Sequence, residues 1–342
     1  MLKILIEKDA LMAFRYKILF TILLLGTLVS GFMMISPLQD QDKVILRLGH
    51  AVDLDHAVHK SLVHFKDLLI QKSDGELDLE IYPSGQLGSE RDLIELLQIG
   101  SLSMAKVSAG PLESFVPAMQ VFSLPYVFDD AEHFWRTIDS DVGKELLLSP
   151  LAVDLRGLAF FDGGSRSFYT CPKPISSPDD LAGMKIRTMK SQSAVALMRQ
   201  LGASATPISF GELYTALQQG VVDGAENSPI TYYKARHYEI CKNFTLDEHN
   251  SIPGIVMFSE KVWSGLSQQH QQWLQEAMDE TVVFQKALWA SDTQVALDSL
   301  AAAGINIIRP DKTPFQERVS AYKQSFAGTP VGDIIERIEA LR

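Results

Sequence analysis

The chain has 342 residues, enough for two lobes or one large α/β unit. Hydrophobic residues make up 46% and charged residues 21%, a balance that excludes a disordered chain. The net charge of −11 argues against a general nucleic-acid binder, which needs a basic face for phosphate. Two cysteines in so long a chain exclude a disulfide scaffold and a zinc ribbon.

The N-terminus speaks to compartment. Ile18–Ile35 carries no charge, follows Arg15 and Lys17, and precedes the polar run Gln39 to Asp42. A basic flank, an apolar core and an acidic polar segment describe an export signal, expected over residues 1–35. Its length approaches the ~20 residues that span a bilayer, so a retained anchor stays open beside a cleaved signal. Val29-Ser30-Gly31 is the best cleavage candidate, and with no cysteine after the core a lipoprotein anchor is excluded.

Further along, Lys43–His50 reads as a strand, and Val58, Leu62, Phe65, Leu68 and Leu69 recur at helical spacing. Leu77–Tyr82 alternates as a second strand. Ser89 and Asp92 predict the start of a helix that stops at Gly100, and Ser103–Ser108 is a third strand. Gly157–Asp162, Met184–Thr188 and Ala203–Pro207 read as further strands. Ser209-Phe-Gly-Glu212 is a capping-box pattern opening a helix that ends at Gly220. From about Gln268 a long stretch to Ala303 lacks Gly and Pro and predicts a long helix. Alternating strands and helices predict α/β lobes with mostly parallel sheets. Glu95–Gly100 and Thr215–Gly220 echo one another, each a helix end before a strand.

No phosphate-cradling glycine motif is present, and Gly163-Gly164-Ser165 is not a nucleophile elbow. His50, His56 and His59 lie close together, but their spacing does not match a zinc pair, so surface or capping roles are expected and no metal site is expected. Cys171 and Cys241 either pair or remain two structural thiols. The sharper signal is two arginines in apolar strand surroundings, Arg166 and Arg187. Each reads either as half of a structural ion pair or as a planar fork for a ligand carboxylate.

Five ordered segments then carry a resemblance: Tyr82-Pro-Ser-Gly-Gln-Leu-Gly-Ser-Glu90, Leu124-Pro-Tyr-Val-Phe128, Asp180-Leu-Ala-Gly-Met-Lys-Ile-Arg187, Leu201-Gly-Ala203, and Pro207 through Asn227 ending Asp-Gly-Ala-Glu-Asn. The sequence resembles the solute-binding proteins of tripartite ATP-independent periplasmic (TRAP) transporters, DctP type, from about Lys43 to Phe326. The resemblance implies an α/β, two-lobed periplasmic-binding-protein fold with hinge-linked lobes and a long helix spanning both. It places 43–163 plus 252–292 in lobe one and 164–251 plus 293–342 in lobe two. It implies a non-catalytic protein without cofactor that captures a small organic acid and delivers it to membrane permease subunits.

By the same resemblance, Arg187 pairs with the ligand carboxylate and Arg166 is a second cation. Phe210 and Asn227 line the cleft, beside their plainer readings as core and turn residue, and Ser108 adds a polar group from lobe one. A narrower likeness at Lys106–Ala109, Pro111–Pro117, Gly164–Tyr169 and Asp247–His249 resembles members that bind sugar acids. It implies a hexuronate such as galacturonate or glucuronate, or a related aldonate, with His50, His56, Lys106, Glu226, Asp247 and His249 as further partners. A different small carboxylate, a periplasmic sugar-acid enzyme and a tethered receptor are the alternative readings.

Overall fold

The computed structural model describes residues 43–342, together with residues 12, 14, 16, 17 and 21. The apolar run (save Thr21) and its cleavage candidate lie outside the described residues. Among the described residues, no helix is long and apolar enough to cross a membrane.

Lobe one is built on a five-stranded sheet in the order β2-β1-β3-β10-β4. Its strands are β1 (Val44–Gly49), β2 (Leu77–Tyr82), β3 (Met104–Ser108), β4 (Leu155–Phe161) and β10 (Gly254–Ser259). Helix α1 (Ala57–Lys72) buries Val58, Leu62, Phe65 and Leu69 on one face, as its apolar spacing demands. Helix α2 (Glu90–Ile99) starts with a reciprocal Ser89–Asp92 capping box and ends at Gly100 in the left-handed region, φ 81°.

Lobe two is a six-stranded sheet in the order β11-β9-β5-β8-β6-β7. Its strands are β5 (Ser165–Thr170), β6 (Lys185–Thr188), β7 (Ser204–Pro207), β8 (Gly224–Asn227), β9 (Asn243–Ser251) and β11 (Asn306–Ile308). Helices α3 (Gln192–Gln200) and α4 (Phe210–Gln218) alternate with them. Cys171 and Cys241 are joined in a disulfide beside the paired ends of β5 and β9.

The sheets are mixed rather than mostly parallel, because β10 runs antiparallel to β3 and β4, and β5 antiparallel to β8 and β9. The physical reason lies at the crossings. β4 passes into β5 through Asp162-Gly163-Gly164, and β9 into β10 through Ile252-Pro253, with no crossover helix to restore strand direction. The two crossings touch: a Cβ on Gly163 would overlap the Ile252 carbonyl oxygen.

The third connection is α5 (Gln268–Ala302), 35 residues and so about 52 Å long. Leu274, Ala277 and Met278 pack into lobe one, whereas Leu300 enters the lobe-two core. Midway, the buried Gln285 clamps the hinge: its Oε1 accepts from Asp162 N at 2.8 Å and its Nε2 donates to Asp162 O at 3.0 Å.

The C-terminal segment departs from the expected partition. Helix α6 (Thr313–Gln324) packs Phe315 and Val319 on lobe two. Helix α7 (Pro330–Glu339) instead buries Val331, Ile335 and Ile338 among the lobe-one residues Phe122, Phe134 and Leu146. Assignment of all of 293–342 to lobe two is therefore corrected. The amphipathic face of α7 finds its apolar partner across the hinge.

Candidate functional site

A cavity of about 430 Å³ lies between the lobes. Seven of the expected residues line it: His56, Lys106 and Ser108 from lobe one, and Arg166, Arg187, Phe210 and Asn227 from lobe two. Register explains the lobe-two set. On the adjacent strands β5, β8 and β6, Ser167 stands opposite Asn227, and Ala225 opposite Arg187. Pairing of β5 with β9 slips between Arg166 and Phe168, the kind of irregularity that re-aims a side chain at a site.

The two arginines differ. Arg166 bonds both Glu226 carboxylate oxygens, through Nε and through Nη2. Nη2 also donates to the Glu226 carbonyl at 2.8 Å, and Nη1 to Asn227 Oδ1 at 3.0 Å. Of the five N–H bonds of a guanidinium, one on Nη1 remains for a ligand. Arg187 is 2% exposed, yet its Nε donates to the Ile208 carbonyl at 2.8 Å and neither Nη group meets a carboxylate among the described residues. Burial draws its guanidinium below the usual value, the signature of a charge lacking a close counter-ion.

Behind Arg166 lies a second layer. Glu226 would be raised by burial, but Arg166 and His249 outweigh this and hold it at about 2. His249 would be lowered by burial, but Asp247 and Glu226 raise it to about 9. Its Nδ1 donates to Asp247 Oδ2 at 2.8 Å, and its ring stacks on Phe168. Glu226, Asp247 and His249 are thus buried next to the site without lining it, a correction to their expected role as direct partners. A pattern along the chain shows that these polar residues cluster, not how deep they sit.

Lobe one behaves similarly. His50 is fully buried, holds His59 Nδ1 at 3.0 Å through Nε2, and does not line the cavity. His56 does. Its Nδ1 accepts Val58 N and so caps α1, leaving Nε2–H to donate to Thr231 Oγ1 of lobe two at 3.3 Å. Burial, with Lys106 next, pushes His56 down to about 3, so the ring is neutral. Lys106 reaches the cavity because position 254 is glycine; a Cβ there would overlap Lys106 Cε. Burial lowers its ammonium, against a field from Glu90 that favours the charge.

Sequence reasoning missed Glu90, Ser209 and Trp289 as cavity residues. Glu90 Oε1 accepts both Ser108 N and Ser108 Oγ at 3.0 Å. Ser209 begins α4 by position, but its hydroxyl makes no capping bond, so the expected capping box is absent there. Trp289 projects from α5 beside the hinge, its ring edge-on to His56. Glu90 was within reach, as the last residue of a segment already singled out; Trp289 carried no local signal.

Two α/β lobes, a hinge of two strand crossings and a long helix, and a buried arginine whose Nη groups meet no carboxylate among the described residues define a binding protein that encloses a small anion. The chain belongs to the bacterial extracellular solute-binding proteins of family 7, DctP, whose model matches residues 48–329. It is 36% identical over 293 residues to protein YiiZ of Salmonella typhimurium, covering 84% of this chain and 88% of that one. It is 32% identical over 305 residues to the C4-dicarboxylate-binding periplasmic protein DctP of Rhodobacter capsulatus, covering 87% and 89%. A TRAP periplasmic solute-binding protein from Xanthobacter autotrophicus Py2, solved with β-D-galacturonate, superposes with a TM-score of 0.84 at 34% identity, covering 87% of this chain and all of the other.

Proposed function

We propose that the protein captures a six-carbon sugar acid, a hexuronate such as galacturonate or glucuronate or a related aldonate, outside the cytoplasm and hands it to the membrane subunits of a TRAP transporter. The observation that carries this reading is Arg187, buried with both Nη groups free of a carboxylate. An isolated buried charge is costly, so the cleft is built for an anionic guest that arrives with its own charge. In this reading the guest's carboxylate lies on the Arg187 fork, and Arg166 adds its one remaining N–H.

The rest of the cavity favours a hydroxylated tail over a second carboxylate. Glu90 presents a carboxylate to the cavity. It would accept from a sugar hydroxyl but repel the far end of a C4-dicarboxylate. Lys106, Asn227 and Ser209 supply further directional groups, and Phe210 and Trp289 offer apolar faces to a sugar ring. The galacturonate bound by the Xanthobacter neighbour agrees with this chemistry.

The test is mass spectrometry of whatever small molecule leaves the purified protein on denaturation, with a thermal-shift panel of D-galacturonate, D-glucuronate, galactonate and succinate. A hundredfold excess over Kd should stabilise the protein by about 2.7 kcal/mol. Larger stabilisation by succinate than by every sugar acid would sink the ligand assignment.

A further inference from the structure

The lobes meet at a contact whose hydrogen-bonding residues, Glu113, Ser191 and Ser193, do not line the cavity. Glu113 follows the short helix Ala109–Leu112 of lobe one and is 3% exposed. Its Oε1 accepts Ser191 Oγ at 2.9 Å and Ser193 N at 2.9 Å, both from lobe two. Ser191 is the N-cap of α3, and its Oγ in turn accepts Ala194 N at 3.0 Å. A first-lobe carboxylate therefore completes the N-terminus of a second-lobe helix, where the orphan N–H groups and the dipole favour negative charge. The other oxygen, Oε2, is buried with no hydrogen-bond partner among the described residues, a cost that the contact at Oε1 must offset.

Next to it, Met189 of lobe two packs among lobe-one core residues such as Leu112 and Val121. Gly110 leaves it room, for a Cβ there would sit 2.9 Å from Met189 Cε. Both sides of this contact are tied to the cavity by short chain segments. Glu113 lies five residues beyond Ser108, and Ser191 four beyond Arg187. Segment 187–191 thus carries the carboxylate fork at one end and a donor of the Glu113 contact at the other.

We infer that Glu113 is a positioning residue for ligand capture: an interlobe latch that holds the cleft shut by capping α3 once Arg187 has been drawn onto the ligand. The latch forms only when the lobes meet, so it stabilises the closed state selectively. Apparent affinity scales with the fraction of closed, binding-competent protein, so losing the latch weakens binding without removing any ligand contact.

The experiment uses the mature protein with D-galacturonate as probe, and so rests on the proposed ligand. Glu113→Ala should raise Kd about 10- to 100-fold, the scale expected for losing hydrogen bonds to a charged group. The loss should appear in the dissociation rate, while association changes less than about threefold. The ligand-free unfolding temperature should not fall, and Glu113→Gln, which keeps an acceptor oxygen, should recover most of the affinity. Binding by Glu113→Ala within threefold of wild type overturns the latch. So does a lowered ligand-free unfolding temperature, which would mark an ordinary structural contact. If wild type does not bind D-galacturonate, the ligand reading has failed and the comparison is made with the acid that mass spectrometry finds released from the purified protein: a Kd raised about tenfold or more in Glu113→Ala supports the latch, and a Kd within about threefold of wild type overturns it.

Discussion

Arg166 and Arg187 stand two strands apart in one sheet, equally buried, and the protein treats them in opposite ways. Around Arg166 it supplies Glu226, Asn227, His249 and Asp247, a layer in which every charge meets an opposite charge. Around Arg187 it supplies the Ile208 carbonyl and leaves the fork bare. Residue type and burial therefore do not set the two apart; the counter-ion does. In the proposed reading the paired patch is finished on folding and the bare one only when the ligand's carboxylate arrives, and a site that leaves a charge unpaired until then gives up stability for function.

Methionine at each position breaks the comparison most directly. Arg166→Met leaves Glu226 buried without its main partner, and should lower unfolding free energy by about 3–5 kcal/mol in chemical denaturation. Arg187→Met removes a charge that has no counter-ion in the empty protein. Its ligand-free stability should be unchanged or higher, while binding falls by about 2–5 kcal/mol, or roughly 30- to 5000-fold, by calorimetry. Arg187→Lys should lose most affinity as well, since one ammonium cannot reproduce two parallel bonds. An Arg187→Met protein less stable than Arg166→Met would show that the roles are reversed.

The pH dependence sharpens the same contrast. His249 binds its proton more tightly in the folded protein, at about 9 against 6.5 for an ordinary histidine. The stability it contributes is whole below pH 6.5 and is lost as pH rises through 9. Glu226, held at about 2, contributes stability that is whole above 4.5 and lost as pH falls toward 2. His50 and His56 are each lowered to about 3 by burial first, so they stabilise fully above 6.5 and progressively less as pH falls. The stability gap between wild type and His249→Gln should shrink by roughly 3 kcal/mol between pH 6 and pH 9.5. For His56→Gln the gap should instead widen as pH rises from 4 to 7. A His249 gap that does not change with pH would mean that folding leaves the ring's affinity for a proton unchanged.

Much of this was legible in the chain, for reasons that particular residues make clear. The α1 stripe, the Ser89–Asp92 box and the strand ends bearing Arg166 and Arg187 are local patterns, and local geometry follows from them. Depth is not local. The chain pattern marks Asp247 and His249 as a polar cluster, yet whether a residue lines a cavity or supports one that does depends on packing of β5 against β9. The antiparallel pairing escaped because Asp162-Gly163-Gly164 and Ile252-Pro253 read as loops whichever way the next strand runs. Helix α7 was misplaced for a related reason: an amphipathic stripe states that a partner exists, not which lobe supplies it.

Ser209 gives the smallest effect and the finest form of the comparison between folding groups and binding groups. Its spacing from Glu212 predicts a reciprocal cap, and Ser89 shows what such a cap looks like here, with Ser89 N donating to Asp92 Oδ2 at 2.7 Å. An ordinary cap of this kind is worth about 1 kcal/mol. At Ser209 the hydroxyl makes no capping bond, and the residue lines the cavity. Ser89 also lines the cavity, but its hydroxyl is spent on Asp92, so Ser89→Ala should lower unfolding free energy by about 1 kcal/mol and change affinity less than Ser209→Ala does. Ser209→Ala should move stability by less than about 0.5 kcal/mol, as for a surface change away from special features. It should weaken sugar-acid binding by about 1 kcal/mol, or roughly fivefold, the worth of one neutral hydrogen bond. Should Ser209→Ala lose stability like Ser89→Ala and keep its affinity, the hydroxyl serves the helix, and the sequence pattern was the better guide.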